Sequence, residues 1–227
     1  MKRKSDITIL YEDDYLFAIN KPARVASVPA EGINLPATIL GKVQRKFEGQ
    51  GFTPYLLHRL DMDTSGVLLF GKHERDREAL ESIFRHDETT KKYVALVKGV
   101  PSGKIITKPL DARHSDRKVF AQTSYKVLQV FKHAGPLCAL VEAEIKMGRK
   151  HQIRQHFAMI GHPILLDRRY GDEKLNRKFR IHFRLGRQFL HAAQITFLHP
   201  ILRTHMKIEA PLTKDLQSVI KKLHFPQ

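Results

Sequence analysis

Strict alternation near the middle of the chain limits the fold most. Ala139, Val141, Ala143 and Ile145 alternate with Leu140, Glu142, Glu144 and Lys146. A period of two turns one set inward and the other outward, as a sheet covered on one face requires, and it favours antiparallel pairing. Further runs rich in β-branched and aromatic residues stand at 7–10, 15–19, 67–70, 93–97 and 119–130, separated by Gly, Pro or charged segments. Helical spacing is expected after Pro36 (Ile39, Leu40, Val43, Phe47) and within 74–85 (Leu80, Ile83, Phe84). It is expected again over 151–160 (Ile153, Phe157, Ile160, with Gly161 as the stop) and over 212–223. Strands and helices intermix without the regular alternation of a doubly wound fold. The expected class is therefore α+β, with a mixed, mostly antiparallel sheet flanked by helices and loops. Residues 171–188, rich in Lys and Arg, read as a mobile basic loop at the surface.

At 227 residues and 42% hydrophobic, the chain can bury a real core. It shows no internal repeat, low-complexity tract or Gly/Ser linker, so residues 1–227 read as a single catalytic-type domain. The balance of 40 Lys+Arg against 23 Asp+Glu gives +17. That excess, clustered at 146–151 and 174–187, points to a polyanionic partner, nucleic acid above all. The basic start, Met1 to Asp6, is followed by only a short Ile-Thr-Ile-Leu run before Glu12, Asp13 and Asp14. Neither a secretion signal nor a membrane-spanning stretch is expected, which leaves a soluble, cytoplasmic protein. A lone cysteine, Cys138, excludes disulfides within the chain and reads as a filler of a small apolar position.

Three strings carry candidate chemistry. The first, His58-Arg59-Leu60-Asp61-Met62-Asp63-Thr64-Ser65-Gly66, sets carboxylates, an arginine and a Gly turn before an apolar strand. Carboxylates two residues apart rarely hold an acid–base separation by themselves. In a tight turn one of them more often caps backbone amides. Asp63 is given that role and Asp61 is kept as the single chemical carboxylate. The second string runs from Gly148 through Arg149, Lys150, His151, Gln152, Ile153, Arg154, Gln155 and His156, and taken alone it is a basic helix face. Its histidines, with His162, do not have the spacing of a zinc helix and no Cys supports them, so no metal is expected. The third is Lys91-Lys92-Tyr93 through Gly99, where a tyrosine in a strand is usually core packing.

Taken together, these strings resemble the RluA-type family of RNA pseudouridine synthases. The first matches its HRLDxxTSG signature, the second its GRxHQIRxH and following GHPIxGDxxYG region, and the third its K-x-Y-x-A-x-x-x-G strand. Lys21-Pro22 resembles the amino-terminal KP motif, and Phe189 to Ala192 with His199-Pro200 and Ala210-Pro211 resembles the carboxyl-terminal strand region. Three departures stand out: Arg24 and Leu166 where Gly is usual, and Met147 where Thr usually precedes the second string. The resemblance implies Asp61 as the catalytic residue, Arg154 as the arginine paired with it, and Tyr93 as the residue that lies against the base. A guanidinium near Asp61 would keep it ionised and oriented. Arg59, Lys91, Lys92, Arg149, Lys150 and His151 are the expected RNA contacts. The reaction implied breaks a uridine's glycosidic bond, by attack at the sugar or at the base ring, and rejoins the base through carbon, with no cofactor. The target must leave the stack, and a flat aromatic partner suits a flipped pyrimidine. The partner is ribosomal or transfer RNA and the expected state a monomer. No separate S4-like RNA-binding module is expected, since the first strand begins near residue 7. Two other classes compete. A noncatalytic RNA-binding protein accounts for the charge but gives Asp61 no purpose beyond capping. A glycosidase needs a second placed carboxylate and no polycationic surface.

Overall fold

The computed structural model describes residues 7–111, 117–132 and 136–224; the basic opening stretch lies outside them. In chain order come β1 (Ile9–Glu12), β2 (Leu16–Lys21), α1 (Ile39–Lys46), β3 (Tyr55–Leu56), β4 (Ser65–Gly71) and α2 (Arg77–Glu81). After them follow β5 (Thr90–Lys98), β6 (Ile105–Thr107), β7 (Leu110–Asp111), β8 (Lys118–Val119), β9 (Gln122–Phe131) and β10 (Cys138–Ile145). The chain then runs through α3 (Gln152–Met159), α4 (Glu173–Phe183), β11 (Leu190–Leu198), β12 (His205–Glu209) and α5 (Lys214–His224). These elements fall into two compact units, the first up to Thr89 with Ala192–Pro211, the second Thr90–His191 with the chain from Leu212 onward.

In the first unit β1, β2, β4 and β11 are neighbours in that order, with β3 on β4 and β12 on β11. The β1–β2, β2–β4, β3–β4 and β11–β12 pairs run antiparallel. Asp13 makes the first hairpin, its carboxylate accepting the N–H groups of Tyr15 and Leu16 at 2.8 Å each. Leu16, Ala18, Val67, Leu69, Ile195, Phe197 and Ile208 build the core on one face. On β2 the alternate residue Phe17 stacks on Phe70 at 5.1 Å and meets Phe47, beside α1, at 4.6 Å. Thr38 caps α1, accepting Gly41 N–H at 3.1 Å. The helix expected in 74–85 forms as the five-residue α2 between two 3-10 turns, Glu74–Asp76 and Ser82–Phe84.

The second unit orders its strands β5, β10, β9, β6, each neighbouring pair antiparallel, with β7 and β8 forming a separate ribbon. The alternation of residues 139–146 is the register of β10, where Val141 and Ala143 face Ala95 and Tyr93 of β5. The expected strand at 119–130 breaks at Phe120 and Ala121, so that β8 leaves for the ribbon and β9 starts at Gln122. Leu96, Cys138, Leu165, Phe179, Phe183, Phe189, Leu216 and Val219 are among the residues of its core. Cys138 fills a small apolar position there, and burial pushes its thiol up to about 12. Arg187, 1% exposed, makes two bonds to the Asp215 carboxylate at 2.7 and 3.1 Å and one to Thr213 at 2.8 Å, fastening the start of α5.

One expectation is corrected. Residues 171–188 are not a loop but carry α4, an eleven-residue helix. Asp172 caps it by accepting Leu175 N–H at 3.0 Å, and Leu175, Phe179 and Phe183 recur every four residues on its inward side. The dense charge of the segment hid this period.

Two of the three departures from the family's pattern have a backbone cause. Arg24 and Leu166 stand at φ +63° and +64°, the left-handed region in which Gly is at ease. The two positions should answer differently to glycine. Arg24 is exposed, so Arg24→Gly removes strain with little packing loss and should stabilise by up to about 1 kcal/mol. Leu166 belongs to the core, so Leu166→Gly should destabilise by about 2–4 kcal/mol despite the same relief. Urea unfolding of both variants reads the two signs, and equal signs would contradict the account.

Candidate active site

The turn that carries Asp61 is fixed from both sides within the first unit. Lys21, at the end of β2, is fully buried and donates from Nζ to the carbonyl oxygens of Pro22 (2.9 Å), Met62 (3.1 Å) and Thr64 (2.9 Å). An ammonium is suited to gathering several carbonyls at one point. Thr64 N–H closes the turn on the Asp61 carbonyl at 3.1 Å. On the other side, Ser27 Oγ donates to Leu60 O at 2.6 Å and accepts Leu60 N–H at 3.2 Å. Gly66, at φ +118°, passes so close to Ala192 that a Cβ would lie 2.1 Å from its carbonyl oxygen. Asp61 therefore sits on backbone held at Leu60, Met62 and Thr64, the preorganisation a reacting group needs. Arg59 is exposed, while Asp61 and Asp63 are half-buried. His58 turns to structure, its Nε2 accepting Leu69 N–H at 3.1 Å and its ring lying 5.0 Å from Phe84.

In the second unit, the period of β5 separates the Lys91-Lys92-Tyr93 string. Lys91 and Tyr93 share one face and are both buried, whereas Lys92 lies on the other, within reach of Glu142 (3.5 Å) and Glu144 (3.7 Å). Burial lowers the Lys91 pKa to about 8, which still leaves it mostly protonated at neutral pH.

Arg154, on α3, is clamped. Its Nε and Nη2 donate to Asp167 Oδ2 and Oδ1 at 2.6 and 3.0 Å, a bidentate pair out of solvent. Asp167 Oδ1 also accepts the N–H groups of Arg169 (2.9 Å) and Tyr170 (3.0 Å). Burial alone would raise the Asp167 pKa, but the bonds from Arg154 and the two amides outweigh it and hold the carboxyl below its ordinary value. The guanidinium lies 5.2 Å over the Tyr170 ring, and the Tyr170 hydroxyl is 3.0 Å from His151 Nδ1. His151 opens α3 at φ +54°. Arg149 and Lys150, just before it, are exposed. Thus Arg154, His151, Tyr170 and Asp167 form one group, with Arg149 and Lys150 beside it along the chain.

The other two histidines of this region have structural partners. His156 is fully buried between Thr123 Oγ1 (2.8 Å) and the Lys108 carbonyl (3.0 Å), and burial lowers its pKa, opposed in part by that carbonyl. His162 Nδ1 is 2.8 Å from the Lys98 carbonyl. Among the described residues no three of His, Cys, Asp and Glu are grouped to hold a metal ion, and no helix is long and apolar enough to cross a membrane. Sequence reasoning missed Lys21, Ser27 and Asp167 as positioning residues. Lys21 and Asp167 stand inside the KP and GHPIxGDxxYG matches, which gave them no role; Ser27 had no signal.

A family model described as RNA pseudouridylate synthase matches residues 15–159. The chain is 36% identical over 224 residues to the ribosomal large subunit pseudouridine synthase C of Vibrio vulnificus (strain CMCP6), covering 95% of this chain and 69% of that protein. It is 32% identical over 240 residues to the tRNA pseudouridine synthase C of Vibrio cholerae serotype O1, covering 95% of each. Among solved structures, human RNA Pseudouridylate Synthase Domain Containing 4 superposes with a TM-score of 0.77 at 24% identity, over 96% of this chain and 93% of that one, a likeness of fold.

Proposed function

The chain belongs to the RNA pseudouridylate synthase family and is an RNA pseudouridine synthase, and from that premise we propose that it isomerises uridines in ribosomal or transfer RNA with Asp61 as the catalytic carboxylate. The observation that carries this reading is the Asp61 turn, whose backbone is fastened by Lys21 and Ser27 on either side of the one carboxylate that the family signature singles out. Chemistry explains why such a turn is worth building. The N1–C1′ bond breaks, a C5–C1′ bond forms, the C5 proton departs and N1 ends protonated, so the product is an isomer and no electrons are exchanged. A carboxylate nucleophile divides that exchange into easier steps, provided it is already aimed.

Tyr93 supplies the flat partner for the flipped base, and the family motif assigns Arg154 to keep Asp61 ionised. Asp167 supports that assignment by fixing the plane of the guanidinium. Exposed Arg59, Arg149 and Lys150 are suited to backbone phosphates. Lys91, buried on the same strand face as Tyr93, acts on the extruded nucleotide together with His151. Lys92 would reach RNA only from the opposite face of β5.

Transcripts of large-subunit ribosomal RNA and of tRNA, labelled with tritium at uridine C5, provide the test. Incubation with the full chain should release tritium from at least one of them. No release from either, with protein that is folded and binds RNA, would overturn the reading.

A further inference from the structure

We propose that the outward face of α4 is a docking surface for duplex RNA, the stem flanking the uridine to be isomerised. The choice of RNA as occupant rests on the proposed function. Leu175, Asn176, Phe179 and Phe183 turn one side of the helix into the protein. Its other side presents Lys174, Arg177, Lys178 and Ile181, flanked by Arg180 and Arg184, with Glu173 and His182 at its borders, all exposed. From Lys174 to Arg184 this row runs about 15 Å along the helix. Among the described residues no carboxylate lies within ion-pair distance of any of these five cations. Elsewhere Arg77, Lys92, Lys126 and Arg187 each have an acidic partner. Like charges at helical spacing repel one another, and a polyanion relieves that repulsion.

The chemistry of the face selects among polyanions. A basic amphipathic helix can lie on a membrane only by sinking its apolar side into lipid, and here that side is in the core; Ile181 alone, at 73% exposed, is apolar and outward. Single strands are held by stacking on aromatic rings, but Phe179 and Phe183 point inward, and the one exposed ring of α4, His182, stands edge-on to Phe183 at 4.6 Å. What remains is a row of cations with a single small ring at its border instead of a run of stacking aromatics, which suits the regular phosphates of a duplex.

Docking there would also place the RNA with respect to Arg154. Asn176 donates to the Asp167 carbonyl at 2.8 Å and accepts Leu166 N–H at 2.7 Å, so α4 is fastened to the residue that clamps the guanidinium.

The test compares the full chain with a Lys174→Gln, Arg177→Gln, Lys178→Gln variant, glutamine being a good helix former. A control removes the same charge from α5 (Lys214→Gln, Lys221→Gln, Lys222→Gln). Binding to a labelled RNA duplex of about 16 base pairs and to oligouridine of equal length is measured across a salt series, with helicity checked by circular dichroism. The α4 variant should lose about tenfold or more in duplex affinity, and its slope of log K against log salt should fall by about two to three. The α5 control should stay close to wild type. Equal losses in the two variants, a loss on oligouridine larger than that on duplex, or a larger loss of binding to phosphatidylserine vesicles would each overturn the proposal. Tritium release separates it from the proposed function. A chain that binds duplex through α4 but releases no tritium overturns the enzyme reading alone, and one that releases tritium with duplex binding untouched by the α4 variant overturns the docking surface alone.

Discussion

Asp61→Asn should reduce tritium release from C5-labelled RNA by a factor of about 10³ or more, because it removes the proposed nucleophile while keeping the size and the turn. The backbone around residue 61 is held by Lys21 and Ser27 rather than by the carboxylate itself. Circular dichroism and unfolding midpoint should therefore match wild type, and RNA affinity should stay within about twofold, since one half-buried carboxylate contributes little to a surface dominated by phosphate contacts. Asp63→Asn, at the turn position given a capping role, should keep turnover within about tenfold of wild type. Turnover by Asp61→Asn close to wild type, or the reverse ranking of the two variants, would remove Asp61 from the reaction.

Asp167→Ala should destabilise the protein by about 3–5 kcal/mol, the range for removing one partner of a buried ion pair. The variant leaves the Arg154 guanidinium without its bidentate acceptor and strips the amides of Arg169 and Tyr170 of theirs. The pH dependence has a definite sign. A carboxyl whose pKa is depressed in the folded state adds stability above the unfolded aspartate value, about 3.9, and that stability is lost as pH falls through the folded value. The gap between wild type and Asp167→Ala should thus be full at pH 7 and shrink below about pH 4. Urea unfolding at several pH values reads it, and a small gap, or one that ignores pH, would contradict the account. Arg154→Lys is the companion for activity, because it keeps the charge but loses the fork. It should collapse turnover with the salt slope of RNA binding preserved, whereas Arg149→Ala should flatten that slope.

Much of this was legible in the residues. The strands at 67–70, 93–97 and 139–145 announced themselves by composition and period, and three of the four expected helices formed as α1, α3 and α5 within a few residues of their expected spans. Asp61, Tyr93 and Arg154 emerged as candidates because strings of chemical residue types are local and a motif is read along the chain. The separation of Lys91 from Lys92 was legible too, since neighbours on a strand point to opposite faces. The Leu175, Phe179 and Phe183 spacing of α4 is equally present in the residues, but the Lys and Arg between them mask its period.

What the tertiary structure alone decided is which groups hold which. Lys21 reaches Met62 and Thr64 across more than forty residues, Ser27 reaches Leu60 across thirty-three, and Asn176 ties α4 to Asp167. A hydrogen bond depends on positions in space, and nothing in the spacing of a lysine and a carbonyl that far apart says they will meet. Local periodicity sets secondary structure because it acts over a few residues. The sequence by itself thus made legible the strands of strong period, most of the helices, the family and the candidate chemistry, while the folding of distant segments together determined which backbone is fastened beneath that chemistry and which charged face is left turned to solvent.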